Sequence, residues 1–140
     1  MTASDVEPFQ REMRVYWEDT DAGGVVYYAN YLKYLERART EWLRALGVEQ
    51  GRLRDEQGLQ FAIVDVEVHY RRPAIYDDCL IVTVVPVEWG RATVTFAQQI
   101  HRGALDGELL VAARVRAACL DAKSLKPRPM PRMLIEEIAK

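Results

Sequence analysis

Cysteine is scarce in this chain of 140 residues, and its scarcity excludes two classes of protein. The two cysteines, Cys79 and Cys119, lie inside apolar runs, which is typical of buried free thiols. The chain therefore has neither the dense disulfide framework of a small secreted protein nor the Cys/His spacing of a zinc site. We expect a reducing, cytoplasmic environment, and no metal or other cofactor.

An excess of basic charge is also absent. The formal net charge is -2 at pH 7, which argues against a dedicated nucleic-acid-binding protein. Residues 1–12 are polar and lack the apolar segment of a secretion signal, and nothing in the sequence indicates a membrane span. With 49% hydrophobic residues, the sequence predicts one globular domain over residues 1–140.

Apolar periodicity predicts one long helix over residues 28–46, ended by Gly47. A short strand over residues 13–18 precedes it. At about 100° per residue, one face of this helix is apolar and must cover an apolar surface. The residues expected on that face are Tyr31, Leu32, Leu35, Ala38, Trp42, Leu43 and Leu46.

The second half of the chain alternates with a period of two, which predicts strands. A polar segment over residues 48–58 leads into a strand in which Ala62, Val64, Val66, Val68 and Tyr70 share one face. Three further strands are expected over residues 80–87, 91–101 and 109–120, and all four are expected to form a meander. One helix on a roughly five-stranded antiparallel sheet is an α+β architecture.

The segment directly before the long helix concentrates polar chemistry. It contains Glu18, Asp19 and Asp21 together with two glycines. A helix N-terminus offers free N–H groups that can stabilise a developing oxyanion, and a carboxylate facing them can attack a carbonyl or activate water. The alternative, in which Asp19 or Asp21 only caps the turn or the helix, stays open on spacing alone.

Residues 19–31 form the pattern D-x-D-A-G-x-V-x-Y-Y-x-N-Y, which resembles the signature of the 4-hydroxybenzoyl-CoA thioesterase family. With the E-R-A-R-T-E segment of residues 36–41, the similarity is closer to the Tol–Pal-associated acyl-CoA thioesterase branch. The resemblance extends over nearly the whole chain. It implies a hotdog fold, in which a curved sheet wraps a long central helix. It also implies homodimers, often paired into homotetramers, with active sites between subunits.

The same resemblance implies hydrolysis of an acyl-CoA to a free acid and CoA. Asp21 matches the catalytic carboxylate, acting as nucleophile or as general base, and the backbone N–H of Tyr28 matches the group that polarises the thioester carbonyl. The Tol–Pal branch usually carries His at position 28. The backbone donor does not depend on that side chain, so the assignment is kept.

Three further residues are candidates for substrate binding. Glu36 matches a position that contacts the acyl group, although an ion pair with Arg39 is the competing interpretation. Arg91 and Lys126 match basic positions that hold the phosphates of CoA, and a guanidinium suits that task. Each of the two could instead be ordinary surface charge.

Two other functions remain open from the sequence. A non-catalytic hotdog module would bind acyl groups or a partner without releasing thiol. A dehydratase on the same fold would need a His with an acidic residue, and His69 and His101 lie far from Asp21 in sequence. The sequence does not distinguish CoA from acyl carrier protein as the thioester donor, or a dimer from a tetramer.

Overall fold

A computed structural model describes residues 7–138. These residues form one long helix, two short helices and a five-stranded antiparallel sheet. In chain order the elements are β1 (Phe9–Arg14), α1 (Tyr31–Ala45), α2 (Gln50–Gln57), β2 (Leu59–Tyr70), β3 (Cys79–Trp89), β4 (Thr93–Arg102), β5 (Leu109–Asp121) and α3 (Arg132–Ile138). The predicted α+β architecture is confirmed.

The strand order in the sheet is β1-β3-β4-β5-β2. Strands β3, β4 and β5 form the expected meander, but β2 does not continue it: β2 pairs with β5 at the far edge. The prediction of a four-stranded meander is therefore wrong for β2. Sequence alternation predicts that a segment is a strand, but it does not predict which strand it pairs with. That pairing depends on how the sheet covers the apolar face of the helix.

Helix α1 lies across the inner face of the sheet. It buries Tyr31, Leu35, Ala38, Trp42 and Leu43 as expected, together with Tyr34, which was not expected. Leu32 is exposed because it lies at the open border of the helix next to β2. Residues 28–30 form a separate 3-10 turn, so the α-helix begins three residues later than predicted.

The first strand lies four residues earlier than predicted, at Phe9–Arg14 instead of residues 13–18. Its register against β3 pairs Phe9 with Val84 and Arg14 with Cys79, and the chain then leaves the sheet. The polar residues in β1 made this strand hard to recognise in the sequence, because an edge strand needs only one apolar face. The segment expected to be polar, residues 48–58, contains α2, in whose first turn the N–H groups of Gly51 and Arg52 donate to the Glu49 carboxylate.

A β-bulge at Val64 changes which side chains of β2 point to the inner face of the sheet. Ile63 pairs with Ala117, whereas Asp65 pairs with Arg116, so Val64 has no partner. Phe61 and Ile63 therefore share the inner face with Val66 and Val68, and the predicted grouping of Ala62 and Val64 with those valines is wrong. A bulge cannot be recognised from alternation because it looks like an ordinary residue in the pattern.

The two cysteines are both free thiols; Cys119 is buried and Cys79 is partly exposed. Within residues 7–138, no helix is long and apolar enough to cross a membrane.

Replacing Leu35, which lies on α1 and is fully buried between the helix and the sheet, tests the helix-on-sheet core. We expect Leu35→Ala to lower the free energy of unfolding by about 3 kcal/mol, because it removes buried methyl groups and leaves a cavity. The matched control Leu125→Ala removes the same atoms at an exposed position and should change it by less than about 0.5 kcal/mol. Urea unfolding of both variants makes the measurement, and equal losses would contradict the assigned core.

Candidate active site

Asp21 lies at the tip of a small hairpin between β1 and α1. Thr20 pairs with Val26, and the Asp21 N–H donates to the Val25 carbonyl at 2.8 Å. The turn closes through Gly24, whose φ of 83° favours glycine. The hairpin thus holds Asp21 exposed, seven residues before Tyr28, which begins the 3-10 turn that leads into α1.

The two oxygens of the Asp21 carboxylate have different surroundings. Oδ1 accepts the Gly23 N–H at 2.8 Å, so this aspartate does cap its own turn. Oδ2 has no donor among the described residues. The Asp19 carboxylate caps its own turn, because its Oδ2 accepts the Tyr16 N–H at 2.8 Å. The capping alternative therefore describes Asp19 well, but only half of Asp21.

The start of the long helix is fixed to this hairpin by one oxygen atom. The carbonyl of Asp19 accepts the Tyr27 N–H at 3.0 Å and the side-chain amide of Asn30 at 2.9 Å. In the part of the chain that the structure describes, the N–H of Tyr28 donates to nothing. A free donor at the helix start and a free carboxylate oxygen in the adjoining hairpin are the two groups that acyl transfer needs.

Residues 73–78 hold the hairpin in place through backbone contacts. Val26 N–H donates to the Ala74 carbonyl at 2.9 Å, and Ala74 N–H donates to the Tyr31 hydroxyl at 3.0 Å. Arg102 fixes this segment, since it pairs with the Asp78 carboxylate and donates to the Pro73 carbonyl at 2.9 Å. Sequence analysis missed Arg102, and nothing in its local sequence would have indicated this task.

A shallow cavity of about 240 Å³ adjoins the helix start. Tyr28, Tyr31 and Tyr70 line it, and the Tyr70 hydroxyl donates to the Tyr28 carbonyl at 3.0 Å. Arg71 and Arg72 complete its wall, so they are the basic side chains that one chain brings next to Tyr28.

Tyr34 is a further residue near the hairpin that sequence analysis missed. Its hydroxyl is buried and forms no hydrogen bond with any described residue, yet it lies close to the Asp19 carboxylate. Burial raises the pKa of Tyr34, and the Asp19 carboxylate raises it further, so the phenol keeps its proton beside the hairpin.

Arg91 and Lys126 lie at the opposite end of the sheet. The Arg91 carbonyl accepts the Met130 N–H at 2.9 Å, and the Lys126 carbonyl accepts the Asp121 N–H at 2.8 Å, so both residues adjoin the end of β5. The Tyr28 cavity adjoins the beginning of β5 near Val111, roughly 30 Å away along the strand. A single chain therefore does not bring these two residues together with Asp21.

Glu36 and Arg39 do not form the expected ion pair among the described residues. Glu36 Oε1 accepts the Thr40 hydroxyl at 3.1 Å, and Arg39 Nη1 donates to Gln98 Oε1 at 2.9 Å. Both residues line a groove on the inner side of the sheet. The position of Glu36 is therefore compatible with contact to an acyl group.

The histidines do not contribute to this site. His69 contacts Glu67 at 2.8 Å on the outer side of β2, while the neighbouring Tyr70 faces Tyr28. His101, near the end of the central strand β4, contacts the Gly107 carbonyl and the Gln99 side chain. Over residues 7–138, no group of three or more His, Cys, Asp or Glu side chains could hold a metal ion.

Comparison with known proteins gives a consistent result. Residues 15–138 match the model of the thioesterase-like superfamily. The acyl-CoA thioesterase YbgC of Haemophilus influenzae is 44% identical over 124 residues, which cover 89% of each chain. The acyl-CoA thioester hydrolase YbgC of Escherichia coli O6:H1 is 38% identical over 129 residues, 92% of this chain and 94% of that protein.

Solved structures share the same architecture. A 1,4-dihydroxy-2-naphthoyl-CoA thioesterase from Synechocystis superposes with a TM-score of 0.87 at 23% identity, covering 96% of this chain and 97% of that one. A probable thioesterase from Bartonella henselae gives 0.83 at 34% identity, covering 89% and 100%. The predicted hotdog fold and the predicted resemblance to thioesterases are confirmed.

The ion pair under the hairpin can be tested by an isosteric change. Asp78 is 14% exposed at its side chain, and its Oδ2 receives both Arg102 and the Ile75 N–H. We expect Asp78→Asn to lower the free energy of unfolding by about 2 kcal/mol, because a charge-assisted bond is lost. Asp77→Asn, at a side chain that is 68% exposed, should cost less than about 0.5 kcal/mol. Urea unfolding compares the two, and similar values would refute the supporting role.

Proposed function

This chain belongs to the thioesterase-like superfamily, and we propose that it hydrolyses an acyl-CoA thioester to a free carboxylic acid and CoA at the hairpin that carries Asp21. The observation that carries the proposal is the pairing of an unbonded N–H, that of Tyr28, with a carboxylate that keeps one oxygen free. The identity to two proteins named as acyl-CoA thioester hydrolases supports the same reaction.

The chemistry divides between the two groups. The Tyr28 N–H donates to the thioester carbonyl and stabilises the negative charge that grows on its oxygen, a contribution of about 3 kcal/mol for one well-placed donor. Asp21 Oδ2 then acts in one of two ways. As a nucleophile it forms a bond to the carbonyl carbon while the C–S bond breaks, and water hydrolyses the resulting anhydride. As a general base it takes a proton from the attacking water, whose oxygen bonds to the carbonyl carbon; the C–S bond then breaks, and the CoA thiolate leaves and takes up the proton.

We propose that the working enzyme contains at least two chains. Strand β2 is a long edge strand whose exposed side chains include Val64, Val66 and Tyr70. The other edge, β1, is shorter and carries exposed charges at Arg11 and Glu12, which discourage pairing. Antiparallel pairing of β2 with the same strand of a second copy would satisfy its free backbone groups.

The same pairing would bring Arg91 and Lys126 to an active site. Antiparallel strands related by a twofold axis bring the beginning of one strand to the end of the other. The partner subunit's Arg91 and the partner subunit's Lys126 would then approach the Tyr28 end of the first chain. There they would bind the phosphates of CoA, while Glu36 contacts the acyl group.

Several finer assignments form part of this proposal. Residues 1–140 form one hotdog domain, the oligomer is a dimer or a homotetramer, and acyl carrier protein is the alternative thioester donor. The free thiols Cys79 and Cys119 support a cytoplasmic location, where disulfides are rare.

Replacing Asp21 tests the reaction. Asp21→Asn keeps an oxygen that can accept the Gly23 N–H, so the hairpin should stay intact. We expect the rate of thiol release from acyl-CoA to fall at least about a hundredfold, because the nucleophile or base is lost. Glu18→Gln, an exposed carboxylate three residues earlier, is the control and should leave the rate unchanged. Saturable acyl-CoA binding by the wild type without thiol release would favour a non-catalytic module instead.

A charge on the edge strand tests the requirement for two chains. Val66→Lys places an ammonium group on the inner face of the β2 edge, where pairing with a second copy would bury it. We expect analytical ultracentrifugation to show dissociation to monomers, with loss of thiol release. Glu12→Lys, at an exposed position on the opposite edge strand β1, should change neither. A monomeric Val66→Lys protein with full activity would show that one chain suffices.

A further inference from the structure

Arg39 projects from the middle of α1 into an apolar cavity of about 140 Å³ between the helix and the sheet. The cavity is close in size to one of about 150 Å³ that can hold a benzene molecule. Glu36, Thr40 and Gln50 form its polar rim. Its apolar walls include Leu43, Phe61, Ile63, Val94, Phe96 and Leu134. A guanidinium is therefore presented to a space that otherwise suits hydrocarbon.

Gln98 fixes the orientation of this guanidinium. Gln98 is 1% exposed, and its amide nitrogen donates to the carbonyls of Leu35 at 3.1 Å and Thr83 at 3.2 Å. Its oxygen must therefore face Arg39, whose Nη1 donates to it at 2.9 Å. The polar contact is pre-arranged by the backbone of α1 and β3.

Most of the hydrogen-bonding capacity of Arg39 remains unused. A guanidinium has five N–H donors, and among residues 7–138 only the contact to Gln98 satisfies one of them. Glu36 does not pair with Arg39, and Glu36 Oε1 accepts the Thr40 hydroxyl instead. Burial lowers the pKa of Arg39, and the charge of Glu36 offsets this in part. Shielding a cation without acceptors is costly, so an acceptor in the cavity would be strongly favoured.

The cavity adjoins a groove that leads along β2 toward the proposed reaction centre. A groove of about 360 Å³ shares Arg39 and Ile63 with the cavity and runs past Val66. Further along β2, Tyr70 lines the cavity at Tyr28. From the beginning of α1 at Tyr31 to Arg39 the helix rises eight residues, about 12 Å. An acyl group extending from the helix start along this groove would thus meet Arg39 at its far end.

We propose that Arg39 is a specificity-determining residue that selects ω-carboxyacyl thioesters, in which the acyl chain ends in a carboxylate. The inference rests on the proposed thioester hydrolysis and names its substrate class. A guanidinium binds a carboxylate through two parallel hydrogen bonds. Lys33 and Arg39 outnumber the one carboxylate that lines the groove, that of Glu36, so the groove keeps a net positive charge. A plain alkyl chain of equal length would separate the partly buried Arg39 donors from water and leave them unpaired, so it is disfavoured.

The test compares thiol release from pairs of CoA thioesters with equal carbon number, one ending in a carboxylate and one in a methyl group. At the best chain length we expect kcat/KM to favour the carboxylate at least about tenfold. Arg39→Met should reverse that preference, because it replaces the cation by an apolar chain of similar length. Arg44→Met, on the exposed side of the same helix, should leave it unchanged.

A wild-type enzyme that prefers the methyl-ended thioester at every length overturns the proposal, whether or not Arg39→Met folds. An equal preference in wild type and Arg39→Met also overturns it, and points to a carboxylate of the partner subunit as the group that satisfies Arg39. If no thioester releases thiol, the proposed reaction is wrong. Calorimetric binding of free dicarboxylic against monocarboxylic acids then decides the role of Arg39: tighter diacid binding supports it, and equal binding refutes it.

Discussion

The carbonyl oxygen of Asp19 is the point on which the candidate site depends. It accepts one hydrogen bond from the backbone of Tyr27 and one from the side chain of Asn30, and so joins the hairpin to the long helix. Without these two bonds, neither the free oxygen of Asp21 nor the free N–H of Tyr28 would have a defined position relative to the other. Preorganisation of this kind gives a donor its catalytic value, because no reorganisation is needed during the reaction.

The support for that oxygen comes from residues far away in sequence. Segment 73–78 pairs with the hairpin, and Arg102 holds the segment in place through Asp78 and Pro73. This explains why so short a motif needs most of the chain around it: a hairpin of about seven residues has too little apolar surface to be stable alone. The sheet, the helix and the buried ion pair together supply the rigidity that the motif lacks.

Sequence patterns predicted the parts of the molecule that depend on local periodicity. The long helix follows from its apolar face, and the α+β class follows from one helix and a series of alternating segments. Periodicity could not reveal the pairing of β2 with β5 or the bulge at Val64, since both depend on contacts between distant strands. Helix α2 has almost no apolar face, and only the cap at Glu49 marks its start.

The site shows the same division. Asp21 and Tyr28 were predicted from a contiguous motif, whereas Arg102, Tyr34 and Asn30 act through contacts that appear only after folding. Arg91 and Lys126 were predicted by resemblance, and the single chain holds them at the other end of the sheet. Their separation is the physical reason for proposing that two chains complete one site.

The most direct measurement is a crystal structure of the Asp21→Asn variant with an acyl-CoA bound. The account predicts the thioester oxygen about 2.9 Å from the Tyr28 nitrogen, and the side chain at position 21 about 3 to 3.5 Å from the thioester carbon. A thioester bound elsewhere, with the Tyr28 N–H still unbonded, would contradict the account.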